Sequence, residues 1–127
     1  MDATNEITFK REVPIFRIFS IEKAREFYVD YLGFKIDWEH RFEPGLPVYM
    51  QISLGNLQIH LSENHGDACP GSCLFVELTG IERFHAALQL KAYAFMRPGL
   101  EDAEWGARYF EVIDPFGNKI RFNEYKR

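Results

Sequence analysis

The sequence predicts an α+β fold built from two βαβββ modules, because the chain looks internally duplicated. The tetrapeptide I-E-K-A at Ile21 recurs in similar form as I-E-R-F at Ile81. The segment I-H-L-S-E at Ile59 recurs as I-R-F-N-E at Ile120, and a Gly-Asn pair precedes both copies. Only one duplication is visible, so we expect a single domain over residues 1–127 rather than a solenoid. Its modules span about residues 12–65 and 72–125.

The first module is predicted to contain one helix and four strands. Apolar residues at helical spacing indicate a helix over residues 21–32, with Ser20 as its N-cap and Gly33 just beyond its end. The predicted strands are residues 13–19, 34–39, 48–54 and 57–61.

The second module is predicted to repeat this order and to close with a hairpin. Residues 105–122 read as two strands joined by a tight turn, since β-branched and aromatic residues flank the turn cluster D-P-F-G-N. Residues 101–104 read as a charged connecting loop. The other predicted elements are a strand over residues 73–78, a helix over 81–90 and a short edge strand over 95–97.

Each predicted module has one helix, which can cover only one face of a four-stranded sheet. The two modules should therefore pack or pair around a shared concavity formed by their open faces. Because concave surfaces are the usual location of small-molecule sites, the predicted mixed sheets should form a ligand groove.

Composition narrows the function classes. A chain of 127 residues with 46% hydrophobic content can bury one sizeable core. Its net charge of −4 argues against a nucleic-acid partner. No apolar stretch reaches membrane-spanning length and the first residues lack signal-peptide features, so we predict a cytoplasmic protein with no membrane partner. Cys69 reads as a loop thiol and Cys73 as a small core residue rather than a redox or zinc pair.

Two groups of motifs resemble the vicinal oxygen chelate superfamily, and the resemblance covers nearly the whole chain. A-R-E-F-Y at residues 24–28 with L-G-F at 32–34 is similar to the superfamily's A-x-x-F-Y and LGF. D-P-F-G-N at residues 114–118 is similar to its D-P-x-G-N. The superfamily includes glyoxalase I, extradiol dioxygenases, fosfomycin resistance enzymes and bleomycin resistance proteins. The resemblance implies the paired-module fold and either a metal enzyme or a metal-free binder.

The resemblance also implies four positions that usually hold the metal, and here they fall on Val13, His60, Cys73 and Arg121. Divalent metals in such sites favour imidazole and carboxylate ligands. A guanidinium at Arg121 would oppose a bound cation. We therefore predict no metal and no cofactor. A metal-dependent lyase, isomerase or dioxygenase with His60 as a ligand is the alternative.

Three further segments resemble the bleomycin resistance branch: V-P-I-F at residues 13–16, F-K-I-D-W at 34–38 and W-G-A-R at 105–108. In that branch the protein sequesters a drug without altering it, as a dimer with exchanged N-terminal segments and ligand grooves at the subunit interface. The resemblance implies for this chain a non-enzymatic, antibiotic-binding homodimer with Pro14 near the crossover.

Residue chemistry suggests how such a groove would hold its ligand. A planar heteroaromatic group stacks on aromatic faces, and a cationic tail is attracted to ring faces and carboxylates. Trp105, Trp38 and Phe42 are the predicted faces, and Asp37 is the predicted charge. His60 and Arg121 complete the predicted ligand-binding set. Further carboxylates that could supply charge are Glu39, Glu43, Glu101, Asp102 and Glu104.

Less specific interpretations remain open beside this one. Trp38 and Trp105 could be core residues, since large aromatic side chains on strands usually pack inside. His60 reads more readily as a satisfied interior histidine than as a general base, although it could hydrogen-bond a ligand. The ligand could be another small metabolite, or the protein could be a dimer that binds no small molecule.

Overall fold

The computed structural model describes residues 6–91, 93 and 96–126, and it contains the βαβββ order twice. The elements of the first module are β1 (Ile15–Arg17), α1 (Ile21–Ala24) continued by a π-helical segment (Arg25–Tyr31), β2 (Lys35–His40), β3 (Tyr49–Leu54) and β4 (Leu57–Ser62). Those of the second are β5 (Cys73–Glu77), α2 (Ile81–Gln89), β6 (Glu101–Asp102), β7 (Ala107–Ile113) and β8 (Lys119–Tyr125).

The two modules form two mixed four-stranded sheets with the same topology. Sheet 1 has the order β1-β4-β3-β2, and sheet 2 has the order β5-β8-β7-β6. In each sheet the first strand pairs in parallel with the last, and the other pairs are antiparallel. The predicted α+β fold of two βαβββ modules is confirmed, and the duplication seen in the sequence is a duplication of structure.

The first helix begins and ends as its sequence predicts. The Ser20 hydroxyl accepts a hydrogen bond from the Lys23 amide at 3.2 Å, which caps the first turn. Gly33 follows the helix at φ +92°, a left-handed conformation that favours glycine. These two residues fix the length of the helix.

Within these limits the helix departs from the α-helical prediction, because it continues as a π-helix from Arg25 to Tyr31. The Leu32 amide donates to the carbonyl of Phe27, five residues earlier, at 2.9 Å. Phe27, Tyr28 and Tyr31 of this segment all lie in the core. Apolar spacing indicates a helix but does not distinguish these two kinds of turn.

The predicted edge strand over residues 95–97 is wrong at Met96 and Arg97, which lie outside any strand. The third residue of that prediction, Phe95, lies outside the described residues. The edge strand is Glu101–Asp102, inside the predicted charged loop, and it pairs with β7. Asp102 also forms ion pairs with Arg108 and Lys126. Charged residues are common on edge strands, which explains why this segment reads as a loop.

A single hydrophobic cluster spans both modules. It includes Phe16, Ile52 and Leu61 from sheet 1 and Phe110 and Phe122 from sheet 2, all nearly inaccessible to solvent. The two sheets therefore share one core. No helix of the described residues is both long and apolar enough to cross a membrane.

The turn at residues 114–118 fastens the second module to the first. The Tyr28 hydroxyl donates to Asp114 Oδ2 at 2.6 Å, and Asn118 Nδ2 donates to the carbonyl of Arg17 at 2.8 Å. Asp114 Oδ1 accepts from the amides of Phe116 and Asn118. Burial is the main reason that the pKa values of Asp114 and Tyr28 are raised. This motif thus joins the modules as well as turning the chain.

Candidate functional site

Each sheet has one face in the core and one face turned away from it. In sheet 1 the alternation along the strands places apolar residues such as Met50 and Ile52 in the core. We call the opposite surface the sheet-1 face. Its central residues are Ile15, Asp37, Trp38, Tyr49, Gln51, Ser53 and His60.

A continuous hydrogen-bond network crosses the sheet-1 face. Ser53 Oγ and Gln51 Nε2 each donate to the Asp37 carboxylate at 2.9 Å. Gln51 Oε1 lies 3.0 Å from His60 Nε2, and the Tyr49 hydroxyl lies 2.7 Å from His60 Nδ1. Since the Gln51 amide nitrogen is used by Asp37, its oxygen accepts from His60. A neutral His60 then carries its proton on Nε2 and accepts at Nδ1 from Tyr49.

A β-bulge in β2 brings Asp37 and Trp38 to the same face. The pairing runs from Ile36 opposite Ile52 to Trp38 opposite Gln51, so Asp37 is the extra residue. Strict alternation would place neighbouring side chains on opposite faces. Here Asp37 hydrogen-bonds across the face, while the Trp38 ring stacks on Tyr49 with centroids 6.1 Å apart. An indole and a carboxylate therefore lie side by side.

The pKa values of both His60 and Asp37 in this network are lowered, which leaves the base neutral and the acid charged. Burial, followed by the nearby positive charge of Arg11, lowers the pKa of His60. The hydrogen bond from Gln51 is the largest of the effects that lower the pKa of Asp37. At neutral pH the sheet-1 face thus presents a charged carboxylate beside a neutral imidazole.

We expect the Arg11→Gln substitution to raise the pKa of His60, as measured by NMR titration of its ring protons, because a positive neighbour is removed. Lys10→Gln, a change of the adjacent cation, is the control and should leave the titration where it was. Since folding lowers the pKa of His60, its contribution to stability is complete above the ordinary value of about 6.5 and is lost as pH falls through the folded-state pKa. Equal titrations in wild type and Arg11→Gln would contradict this electrostatic assignment.

The corresponding surface of sheet 2, here the sheet-2 face, carries Trp105 and Arg121. The Trp105 ring stacks on Tyr109 with centroids 5.6 Å apart. Arg121 forms an ion pair with Glu111 on the neighbouring strand. Cys73 lies on this face in register with Lys119 and is exposed, so its prediction as a core residue is wrong. It opens the edge strand, where only one face of the sheet is covered.

Both tryptophans are accessible, and the interpretation of either as a core residue is wrong. Trp38 is 42% exposed and Trp105 is 54% exposed. The Trp38 ring contacts the rings of Tyr49 and His60, and the Trp105 ring contacts that of Tyr109. Within one chain each indole thus packs against its own sheet.

The two remaining residues predicted to bind the ligand, Phe42 and His60, differ in exposure and in their contacts. Phe42 is 85% exposed in the loop after β2, and its ring edge contacts His40 rather than Trp38. His60 is half-buried with both ring nitrogens hydrogen-bonded, which is close to the expected satisfied histidine. The structure therefore groups Asp37, Trp38 and His60, and separates Phe42 from them.

The four positions that hold metal in related enzymes do not fit a metal here. His60 lies in register with Ile15, and Arg121 lies in register with Phe75. Both nitrogens of His60 are engaged by uncharged partners, and Arg121 is itself a cation. Among the described residues no three His, Cys, Asp or Glu side chains are grouped as a metal site would require. The residues present supply no ligand set for a divalent cation.

Sequence reasoning missed the residues that organise the sheet-1 face, namely Tyr49, Gln51 and Ser53. They occupy alternate positions of β3, between the buried Met50 and Ile52. Polar residues at a spacing of two in an otherwise apolar strand indicate a functional or solvated face. This alternation could have identified them.

Comparison with known proteins identifies the family to which this chain belongs. A family model described as glyoxalase superfamily protein matches residues 1–127. The chain belongs to the glyoxalase superfamily. Within it, a bleomycin resistance protein of Geobacillus stearothermophilus is 28% identical over 130 residues, covering 88% of this chain and 94% of that protein. The predicted resemblance to the bleomycin resistance branch is confirmed.

Two solved members of similar fold illustrate the architecture. The crystal structure of a bleomycin-binding protein complexed with bleomycin has a TM-score of 0.67 at 19% identity. The match covers 93% of this chain and 100% of that protein. An antibiotic binding protein from Streptomyces sp. CB03234 has a TM-score of 0.64 at 22% identity, covering 94% of this chain and 99% of that one. These likenesses confirm the superfamily fold.

Proposed function

We propose that this protein binds and sequesters a bleomycin-type cationic antibiotic, without chemical conversion, in grooves formed between two copies of the chain. The observation that carries the proposal is the pairing of Trp38 with Asp37 on the sheet-1 face. An indole with a carboxylate beside it suits a planar heteroaromatic group that carries positive charge. The names of the sequence relatives support the same ligand class.

The homodimer in this proposal follows from the two exposed faces. Trp38 and Ile15 on the sheet-1 face, and Trp105 and Phe75 on the sheet-2 face, are each more than a third exposed. Exposed clusters of large apolar side chains commonly mark an interaction site. Placing the sheet-1 face of one copy opposite the sheet-2 face of the other would enclose a ligand between Trp38 and Trp105, and would do so twice by symmetry.

Sequestration without catalysis is supported by the chemistry of the faces. The imidazole of His60 has both ring nitrogens hydrogen-bonded, and the guanidinium of Arg121 is paired with Glu111. Neither arrangement has a nucleophile with an activating base, and the metal positions lack suitable ligands. Binding energy alone would then confer tolerance, by keeping the drug from its target.

Calorimetric titration of metal-free and copper-bound bleomycin into chelator-treated protein tests the proposal, with the oligomeric state checked by sedimentation. We expect saturable binding near one drug per chain. Affinity should fall between low and moderate salt, because attraction between a cationic drug and carboxylates is screened. Absence of binding at either salt concentration would refute bleomycin as the ligand and would leave another small metabolite to be sought.

A further inference from the structure

A concavity lies at the end of sheet 1, and its lining contains none of the residues proposed to bind the antibiotic. It has a volume of about 590 Å³ and forms where β1 meets α1 and the loop after β2 folds back. We call it the arginine pocket. The residues of its lining that matter here are Arg17, Phe19, Ser20, Arg41, Leu46 and Glu63. Asp37, Trp38 and Trp105 lie outside this lining.

Arg17 is a buried cation that has no anionic partner among the residues that the structure describes. Its side chain belongs to a residue that is only 9% exposed. Nη1 donates to the carbonyl of Ile18 at 3.3 Å and to the carbonyl of Glu63, and the guanidinium carbon lies 4.5 Å from the centroid of the Phe19 ring. None of the ion pairs among the described residues includes Arg17. Arginines this deeply buried are normally paired with a carboxylate.

The second arginine of the pocket, Arg41, is exposed rather than buried. Arg41 Nη1 donates to the carbonyl of Leu46, and over the described parts of the chain Arg41 takes part in no ion pair. Over the described residues Arg17 has two carbonyl contacts and Arg41 has one, which leaves most of the five N–H donors of each guanidinium available. Two cations with spare donors therefore face one cavity.

Glu63 is the only carboxylate that lines the arginine pocket within the described parts of the chain, and it already accepts a hydrogen bond. Glu63 Oε1 accepts a hydrogen bond from the Val48 amide at 3.0 Å, which anchors it to the main chain. The lining thus carries an excess of positive charge in a chain whose net charge is −4. A local cationic cavity on an acidic protein selects for anions.

We propose that the arginine pocket binds a phosphate-type oxyanion held between the guanidinium groups of Arg17 and Arg41. The planar fork of arginine matches phosphate oxygens in pairs, and such charge-assisted hydrogen bonds are strong. Phe19 and Leu46 add apolar surface at the rim, which suits an anion carried on a small organic molecule. This site would give the protein a second ligand class, opposite in charge to the antibiotic.

Titration of sodium phosphate into the protein, followed by calorimetry and by amide NMR, tests this inference, with sodium chloride at matched ionic strength as the reference. We expect saturable binding of one phosphate per chain, with the largest shifts at Phe19, Ser20 and Leu46. Arg41→Gln should weaken that binding by about tenfold, the usual effect of losing a charge-assisted hydrogen bond. Arg83→Gln, which changes an exposed arginine on α2, is the matched control and should bind like wild type.

Arg41 is the residue to substitute, because Arg17 also donates to two main-chain carbonyls and replacing Arg17 would remove contacts of the fold itself. Binding that does not saturate, or that is equal in Arg41→Gln and Arg83→Gln, would mean an adventitious ion only and would overturn the proposal. Bleomycin titrations on Arg41→Gln separate the two sites, since loss of phosphate binding with unchanged drug affinity assigns the pocket an independent role.

Discussion

Replacing Asp114 by alanine is expected to destabilise the protein by about 3 kcal/mol, the largest stability effect we predict for a single polar side chain here. Asp114 accepts hydrogen bonds from the Tyr28 hydroxyl, from Asn118 Nδ2 and from two backbone amides. Its removal leaves buried donors on both modules without acceptors, and buried unsatisfied groups keep their full desolvation cost. Urea unfolding followed by circular dichroism measures the change.

Two variants calibrate this result. Tyr28→Phe removes only one of the donors, so we expect a smaller loss of about 1 kcal/mol. Asp30→Ala changes an exposed aspartate on the same helix as Tyr28 and should stay within about 0.5 kcal/mol of wild type. If Asp114→Ala were as stable as Asp30→Ala, the turn at residues 114–118 would not be the connection between modules that its contacts indicate.

The Trp38→Ala and Trp105→Ala substitutions are each expected to weaken bleomycin binding by about 30-fold, or about 2 kcal/mol, as measured by calorimetry. Both rings are exposed in the single chain and stack on a tyrosine of their own sheet, so each offers its other face to a ligand. Tryptophans of this kind contribute disproportionately to binding, because a large rigid surface loses little conformational entropy.

The matched control is Leu90→Ala, which removes another large exposed side chain at a position outside both faces and should bind normally. Phenylalanine in place of either tryptophan keeps a stacking surface and should recover part of the affinity. Because both rings are exposed, the variants should unfold at nearly the wild-type urea concentration. Unchanged drug affinity in both alanine variants would disprove the stacking role.

Much of the fold follows from local sequence. Ser20 and Gly33 limit the first helix through a capping hydrogen bond and a positive φ, and both effects depend only on neighbouring residues. The D-P-F-G-N turn likewise forms its own hydrogen bonds between Asp114 and Asn118. Local chemistry of this kind can be read directly, which is why the order of elements was predicted correctly.

The errors lie where distant residues decide. Glu101 and Asp102 form a strand only because β7 offers an edge for pairing and Arg108 offers a charge partner. Cys73 is exposed because it begins β5, which lies at the edge of sheet 2. Both features depend on residues that are distant in the sequence. Local composition and spacing therefore predicted the edge strand and the burial of Cys73 incorrectly.

The sequence by itself determined the duplicated fold and the superfamily, because both depend on motifs and residue types. It also predicted the candidate ligand-binding residues, which are Trp105, Trp38, Phe42, Asp37, His60 and Arg121. Only the tertiary structure decided how they are combined. The bulge in β2 turns Asp37 and Trp38 to one face, and the side chains of β3 hydrogen-bond both ring nitrogens of His60. The tertiary structure also places Arg17 and Arg41 in the lining of one pocket. Strand register and burial set these relations, and both arise from contacts between residues far apart in the chain.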